Sequence, residues 1–262
     1  MNHRFLHWLP ASLLFALLCG PVLAEPESPA TETPAQQATP APEQPDLDVV
    51  KTEIFTLTNQ FRQEQGRAQL KENPALAKAA QYFAEYMART DKFSHTADDK
   101  QPWDRAVRYG YQYCVVAENI GYEYSSAGFS TQELGQAFIT GWKNSPHHRA
   151  NMLDTDLTEI GIGVAHSSET GRFYAVQDFG RPKSAMVSFT LINRTEAPVK
   201  YTVNGKSFTI EPRYRMMHES CRAPEVAFPS ADDEEDQTFR PHKGSRFILT
   251  RDEQDHLVIR EQ

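Results

Sequence analysis

Residues 142–163 read W-K-N-S-P-H-H-R-A-N-M-L-D-T-D-L-T-E-I-G-I-G, and this one stretch holds both halves of the fold. Trp142 closes a helical pattern, and Ser145-Pro146 breaks it, because proline lacks the amide hydrogen that a continuing helix needs. His147, His148 and Arg149 then fall on a short turn. From Ile160 the pattern becomes that of a strand, with Ile160, Ile162 and Val164 alternating with glycines. A helix-to-sheet corner with polar side chains on it is a candidate site. Phe93-Ser94-His95-Thr96 and Ala117-Glu118-Asn119-Ile120 have the same character, each setting one ionisable residue against apolar neighbours.

On the N-terminal side of the corner the patterning is helical. Val50, Ile54, Leu57 and Phe61 recur on one face before Gly66. Asn73 is a cap with Pro74 at the first helical position, and Leu76, Ala80, Phe83 and Met87 form the stripe behind it. A short helix is expected around residues 103–109, and Ser130 with Glu133 makes a capping box that opens a helix carrying Leu134, Phe138 and Trp142. On the C-terminal side, residues 160–165 and 172–179 alternate as strands around Ser-Ser-Glu-Thr-Gly, a hairpin signal. Helices first and strands later give an α+β layered domain. From about residue 185 the texture is short strands only, with Asn204-Gly205 as a hairpin turn, so residues 184–262 form a small β-rich module. The acids of residues 232–236 read as a solvated loop, since they lack the loop glycine of a calcium site.

The first 24 residues have Arg4 as a positive n-region, an apolar run at residues 13–18 and small residues at the cleavage positions, the pattern of an export signal. That apolar run is shorter than the ~20 residues a spanning helix needs. Residues 25–46 hold six prolines, five acids and neither lysine nor arginine, which makes them a linker that cannot build a core. Such a spacer would permit proximity to a membrane or cell wall. Loss of Arg4 takes the net charge from -8 to -9, which argues against nucleic acid as a partner. Cys114 and Cys221 remain in the exported chain, either bonded, as an oxidising compartment favours, or as buried thiols. The location expected is secreted or periplasmic.

Six motifs in order carry a resemblance: Phe93-Ser94-His95-Thr96, Pro102-Trp103-Asp104-Arg105, Ala117-Glu118-Asn119-Ile120, Trp142-x-x-Ser-Pro-x-His148-Arg-Ala-Asn, Thr158-Glu159-Ile160-Gly161-Ile162-Gly163 and Gln177-Asp178-Phe179-Gly180. Over residues 47–183 the chain resembles the bacterial branch of the CAP superfamily, named for cysteine-rich secretory proteins, antigen 5 and plant pathogenesis-related proteins. The resemblance implies a three-layer α-β-α sandwich with a cleft of two histidines and two acids that binds zinc or another divalent cation in some members. Motif by motif, His95 and His148 take the histidine places and Glu118 one acid place, while Ser145 stands where eukaryotic relatives have a glutamate.

Without the family, the spacing alone says less. His95 to Glu118 is 23 positions and Glu118 to His148 is 30, so only the fold can bring them together. Two neutral imidazoles and a carboxylate hold zinc with an open position for water; the other reading is a polar network in which both histidines hydrogen-bond Glu118 without metal. Ser145 lacks the Gly-x-Ser-x-Gly elbow of a hydrolase nucleophile, and Cys114 has no positive neighbour to lower its pKa. The expectation is a non-enzymatic binding module for a cation or a small lipid or peptide ligand. The alternative is a metal-assisted hydrolase with Glu159 or Ser145 assisting zinc-bound water.

Overall fold

The computed structural model describes residues 44–229 and 236–262. The stretches expected to be an export signal and, up to residue 43, a linker lie outside the described residues, as does the acidic run before Asp236.

Helix α1 (Leu47–Glu64) starts where the Asp46 carboxylate accepts from the amides of Asp48 and Val49 at 3.0 and 3.2 Å, filling donors that a helix start leaves open. Strand β1 (Lys71–Glu72) is brief, and α2 (Pro74–Thr90) opens on the cap Asn73. Then come α3 (Pro102–Arg108), β2 (Tyr113–Glu123), α4 (Thr131–Asn144), α5 (Pro146–Leu153), β3 (Glu159–His166) and β4 (Phe173–Pro182). The four strands form one sheet in the order β1-β3-β4-β2, with β1 parallel to β3 and the other pairs antiparallel.

Because side chains alternate along a strand, the sheet feeds two cores. Ile160, Ile162, Ala175 and Phe179 pack with α1, α4 and α5, while Ile120, Ala165, Tyr174 and Val176 pack with α2. The result is the three-layer α-β-α sandwich. Gly161 and Gly163 set the distance between layers: a Cβ on Gly161 would lie 2.0 Å from the Ala77 amide nitrogen, and one on Gly163 2.2 Å from the Ala80 carbonyl carbon. Bare backbone there lets α2 lie directly on β3.

Two expectations need correction. The histidines do not sit on a turn. Pro146 occupies the first helical position, where its missing N–H costs nothing, so the chain restarts as α5 with Ser145 closing α4 and opening α5. The helices also do not all precede the strands, because β2 is a strand of 11 residues between α3 and α4.

After a 3-10 turn at Lys183–Ala185 come β5 (Val187–Asn193), β6 (Val199–Val203), β7 (Lys206–Ile210), β8 (Arg215–Ser220), β9 (Val226–Phe228), β10 (Gln237–Phe239), β11 (Arg246–Arg251) and β12 (Leu257–Glu261). They form two four-stranded sheets, β10-β9-β6-β7 and β12-β11-β5-β8, around a shared core that includes Phe189, Leu191, Tyr201, Phe228 and Leu249. Cys114 on β2 is bonded to Cys221 just after β8, with Cα atoms 5.1 Å apart. Beside that bond Arg222 reaches Asp154 and Asp156, which follow α5, at 2.8 and 3.0 Å.

Candidate functional site

β2 is the outermost strand on its side of the sheet, so one edge of its backbone has no strand partner. α5 supplies partners instead. Asn151 Nδ2 donates to the Glu118 carbonyl at 3.2 Å and to Asn119 Oδ1 at 2.9 Å. Asn119 Nδ2 donates to the His148 carbonyl at 3.1 Å and to Gln177 Oε1 at 3.0 Å, and Gln177 Nε2 donates to Thr58 Oγ1 at 2.7 Å. This run of buried amides ties α1, β4, β2 and α5 together and fixes the backbone that carries His148.

Glu118 points to the opposite face, toward α2, and is buried there. Arg105 Nη2 donates to its Oε2 at 2.6 Å, and His95 Nδ1 meets its Oε1 at 2.7 Å. Arg105 is 1% exposed and lies over the Phe83 ring, 3.5 Å from the centroid. It also donates to Asp98 Oδ1 at 2.8 Å and to the carbonyls of His95 and Lys100, both at 3.0 Å. A planar guanidinium with five donors thus locks the His95 loop and the strand carboxylate into one geometry.

Asp178 lies opposite Glu118 on β4. It is wholly buried, and neither of its oxygens has a partner of good geometry among the described residues. Burial first, and the Glu118 charge second, push its carboxyl well above the ordinary carboxylate range, against the pull of Arg105. Asp178 therefore holds its proton to a higher pH than an ordinary carboxyl does.

Two imidazoles remain open to a ligand. The His95 side chain is 50% exposed, with Nδ1 on Glu118 and no hydrogen bond at Nε2 among the described residues. His148 is partly buried. Burial, then the charges of His95 and His147, hold it below the ordinary histidine range, so at neutral pH it is uncharged with a lone pair to offer.

The expected site residues therefore divide. His95 and Glu118 are in direct contact, and His148 lies within electrostatic reach of His95. Ser145 caps α5 one turn before His148, with its carbonyl accepting from the Arg149 amide at 2.8 Å. Glu159 begins β3 and accepts from the Tyr111 hydroxyl at 2.6 Å; β4 separates it from β2, about two strand spacings of ~4.8 Å each. Both oxygens of Glu118 are occupied, and among the described residues no three His, Cys, Asp or Glu side chains gather where they could hold a metal. In this arrangement Glu118 is held by Arg105 and His95, which leaves His95 and His148 as the side chains with an open nitrogen. Arg105, Asp98 and Asp178 are the members of this buried cluster that the sequence reading of the site leaves out. Their signals are faint: an arginine on the inner face of a short helix, and Gln177-Asp178 inside an otherwise apolar strand.

Fold and site together define a three-layer α-β-α sandwich with a histidine–carboxylate cluster at the free edge of its sheet. Residues 55–179, just under half of the chain, match the family model described as CAP, the cysteine-rich secretory protein family. The Bacillus subtilis protein YkwD is 28% identical over 156 residues, which is 59% of this chain and 56% of that protein. The membrane protein YlbC of the same organism is 30% identical over 122 residues, covering 46% of this chain and 33% of that one. The chain thus spans about half or less of the curated relatives it matches. Among solved structures, an extracellular SCP-domain protein of Bacillus anthracis is similar with 27% identity and a TM-score of 0.44 over 51% of this chain and 41% of that chain.

Proposed function

We propose that this chain is an exported binding module, not an enzyme, whose CAP cleft holds a divalent cation or a small ligand through His95 and His148. The carrying observation is the Arg105–Glu118–His95 relay, which fixes the His95 ring on its Nδ1 and turns Nε2 outward. A carboxylate on the far nitrogen is the usual support for a metal-binding imidazole. The residues fit zinc as two imidazole ligands with Glu118 behind His95, the remaining positions going to water or to a lipid or peptide group. That is an open and weak site, unlike the closed four-ligand site of a structural zinc. Metal-assisted hydrolysis would also need a general base beside the imidazoles; Glu159 is held by Tyr111 and Ser145 is the junction of two helices.

Calorimetric titration of zinc chloride into chelator-treated protein tests this reading. Saturable heat is expected, lost in His95→Ala and in His148→Ala. Undiminished heat in both variants would place the metal elsewhere. Thermal melts give the second arm: added zinc should raise the melting temperature by mass action, and chelator should leave the protein folded at room temperature.

A further inference from the structure

We propose a second metal site, for a soft monovalent cation of the copper(I) class, on the β module at Met216 and His218. The two residues are alternate positions of β8, so both side chains leave the same face of that strand. Both converge on one atom of the other sheet: the Tyr201 hydroxyl oxygen lies 2.9 Å from Met216 Sδ and 2.8 Å from His218 Nε2. Thioether sulfur and imidazole nitrogen thus approach one point from the same face of β8.

The chemistry of the pair is selective. A thioether is a soft ligand that favours copper(I), and imidazole serves copper as well, whereas calcium and magnesium require oxygen. The Tyr201 hydroxyl has a single proton and can satisfy only one of the two acceptors that face it. The other lone pair is left open.

Phe189 stacks on the His218 ring at 5.2 Å, and Phe208 meets it edge-on at 4.8 Å. These rings pack on the imidazole itself and fix its orientation beside Met216. Met216 and His218 are themselves only half-buried, so the place is reachable from solvent. Neither residue belongs to the CAP cleft, and the proposal stands or falls independently of the zinc reading.

Silver(I) is the probe, since it shares the soft character of copper(I) without redox chemistry. The full chain would carry Cys19→Ala, so that no unpaired thiol competes, together with His95→Ala and His148→Ala to silence the cleft. Titration followed by the Met methyl and His ring signals in NMR should show one equivalent bound, with shifts confined to Met216, His218 and their aromatic neighbours. Met216→Leu and His218→Gln should each weaken binding at least tenfold, while Met217→Leu, altering the exposed methionine on the other face of β8, should not. Met216→Leu preserves volume and keeps the test decisive if His218→Gln misfolds. Binding that survives Met216→Leu, or no shift at these residues, would overturn the assignment.

Discussion

Arg105 and Asp178 both border Glu118, and their removal should have opposite consequences. Arg105 is the one buried cation facing two buried carboxylates, Glu118 and Asp98. Arg105→Ala strands those charges in a low-dielectric setting, and removing one partner of a buried pair costs about 3–5 kcal/mol. Urea unfolding should show a loss of that size; a loss under ~1 kcal/mol would mean that water reaches the cluster. Asp178 is pushed the other way, well above the ordinary carboxylate range by burial, so Asp178→Asn removes a group whose proton the fold retains. The sign of its pH dependence follows from the raised value. Above the ordinary carboxylate value of 3.8 the unfolded chain has released this proton while the folded chain keeps it. Asp178 therefore contributes stability below that value and loses it as pH rises toward the folded one. Stability of the wild type relative to Asp178→Asn should fall as pH rises from about 4. A difference that stays flat with pH would show that Asp178 ionises in the folded state as it does in the unfolded one.

At the level of elements, what could be read from the chain depended on whether the pattern had a local cause. The start of α2 is legible because Asn73 and Pro74 state it within two residues. β3 is legible because isoleucine and glycine alternate along it. β2 is not, because both its faces are covered and Glu118 and Asn119 interrupt its apolar run; the partners that make those residues tolerable lie 13, 23 and 32 residues away at Arg105, His95 and Asn151. The resemblance places His95, Glu118 and His148 at one cleft, but which atoms Glu118 binds is decided by Arg105, which no spacing rule singles out. The glycines of β3 allow a direct test of layer spacing. Gly161→Ala brings a methyl group onto the backbone of α2 at 2.0 Å, so the helix must shift as a whole. Overpacking of this kind costs about 1–3 kcal/mol or more, and at ~2–4 °C per kcal/mol for a chain of this size the melting temperature should drop by several degrees. A melting temperature unchanged in Gly161→Ala would mean that α2 does not rest on β3.

For the whole molecule the question is what holds the β module to the CAP layers. Arg222 with Asp154 and Asp156 is about half-exposed, and such surface pairs contribute roughly 0–1 kcal/mol each. The disulfide closes 107 residues of sequence, and on the chain-entropy model a loop of that order is worth about 4.7 kcal/mol against the unfolded state. The covalent bond should therefore dominate the coupling. The β module has the smaller core, which buries a smaller fraction of its surface and makes it the weaker partner alone. Tryptophan content makes this separable: Trp103 and Trp142 lie on α3 and α4, and the module after residue 184 has none. Tryptophan fluorescence then follows the CAP layers, while far-ultraviolet circular dichroism follows both parts. In the wild type the two urea transitions should coincide. In Cys114→Ser/Cys221→Ser the circular dichroism should begin to fall at lower urea than the fluorescence, as the module unfolds ahead of the CAP layers, while Arg222→Ala should keep the two coincident. Coincident transitions in the double serine variant would show that packing, not the bond between β2 and the end of β8, makes the two parts unfold as one.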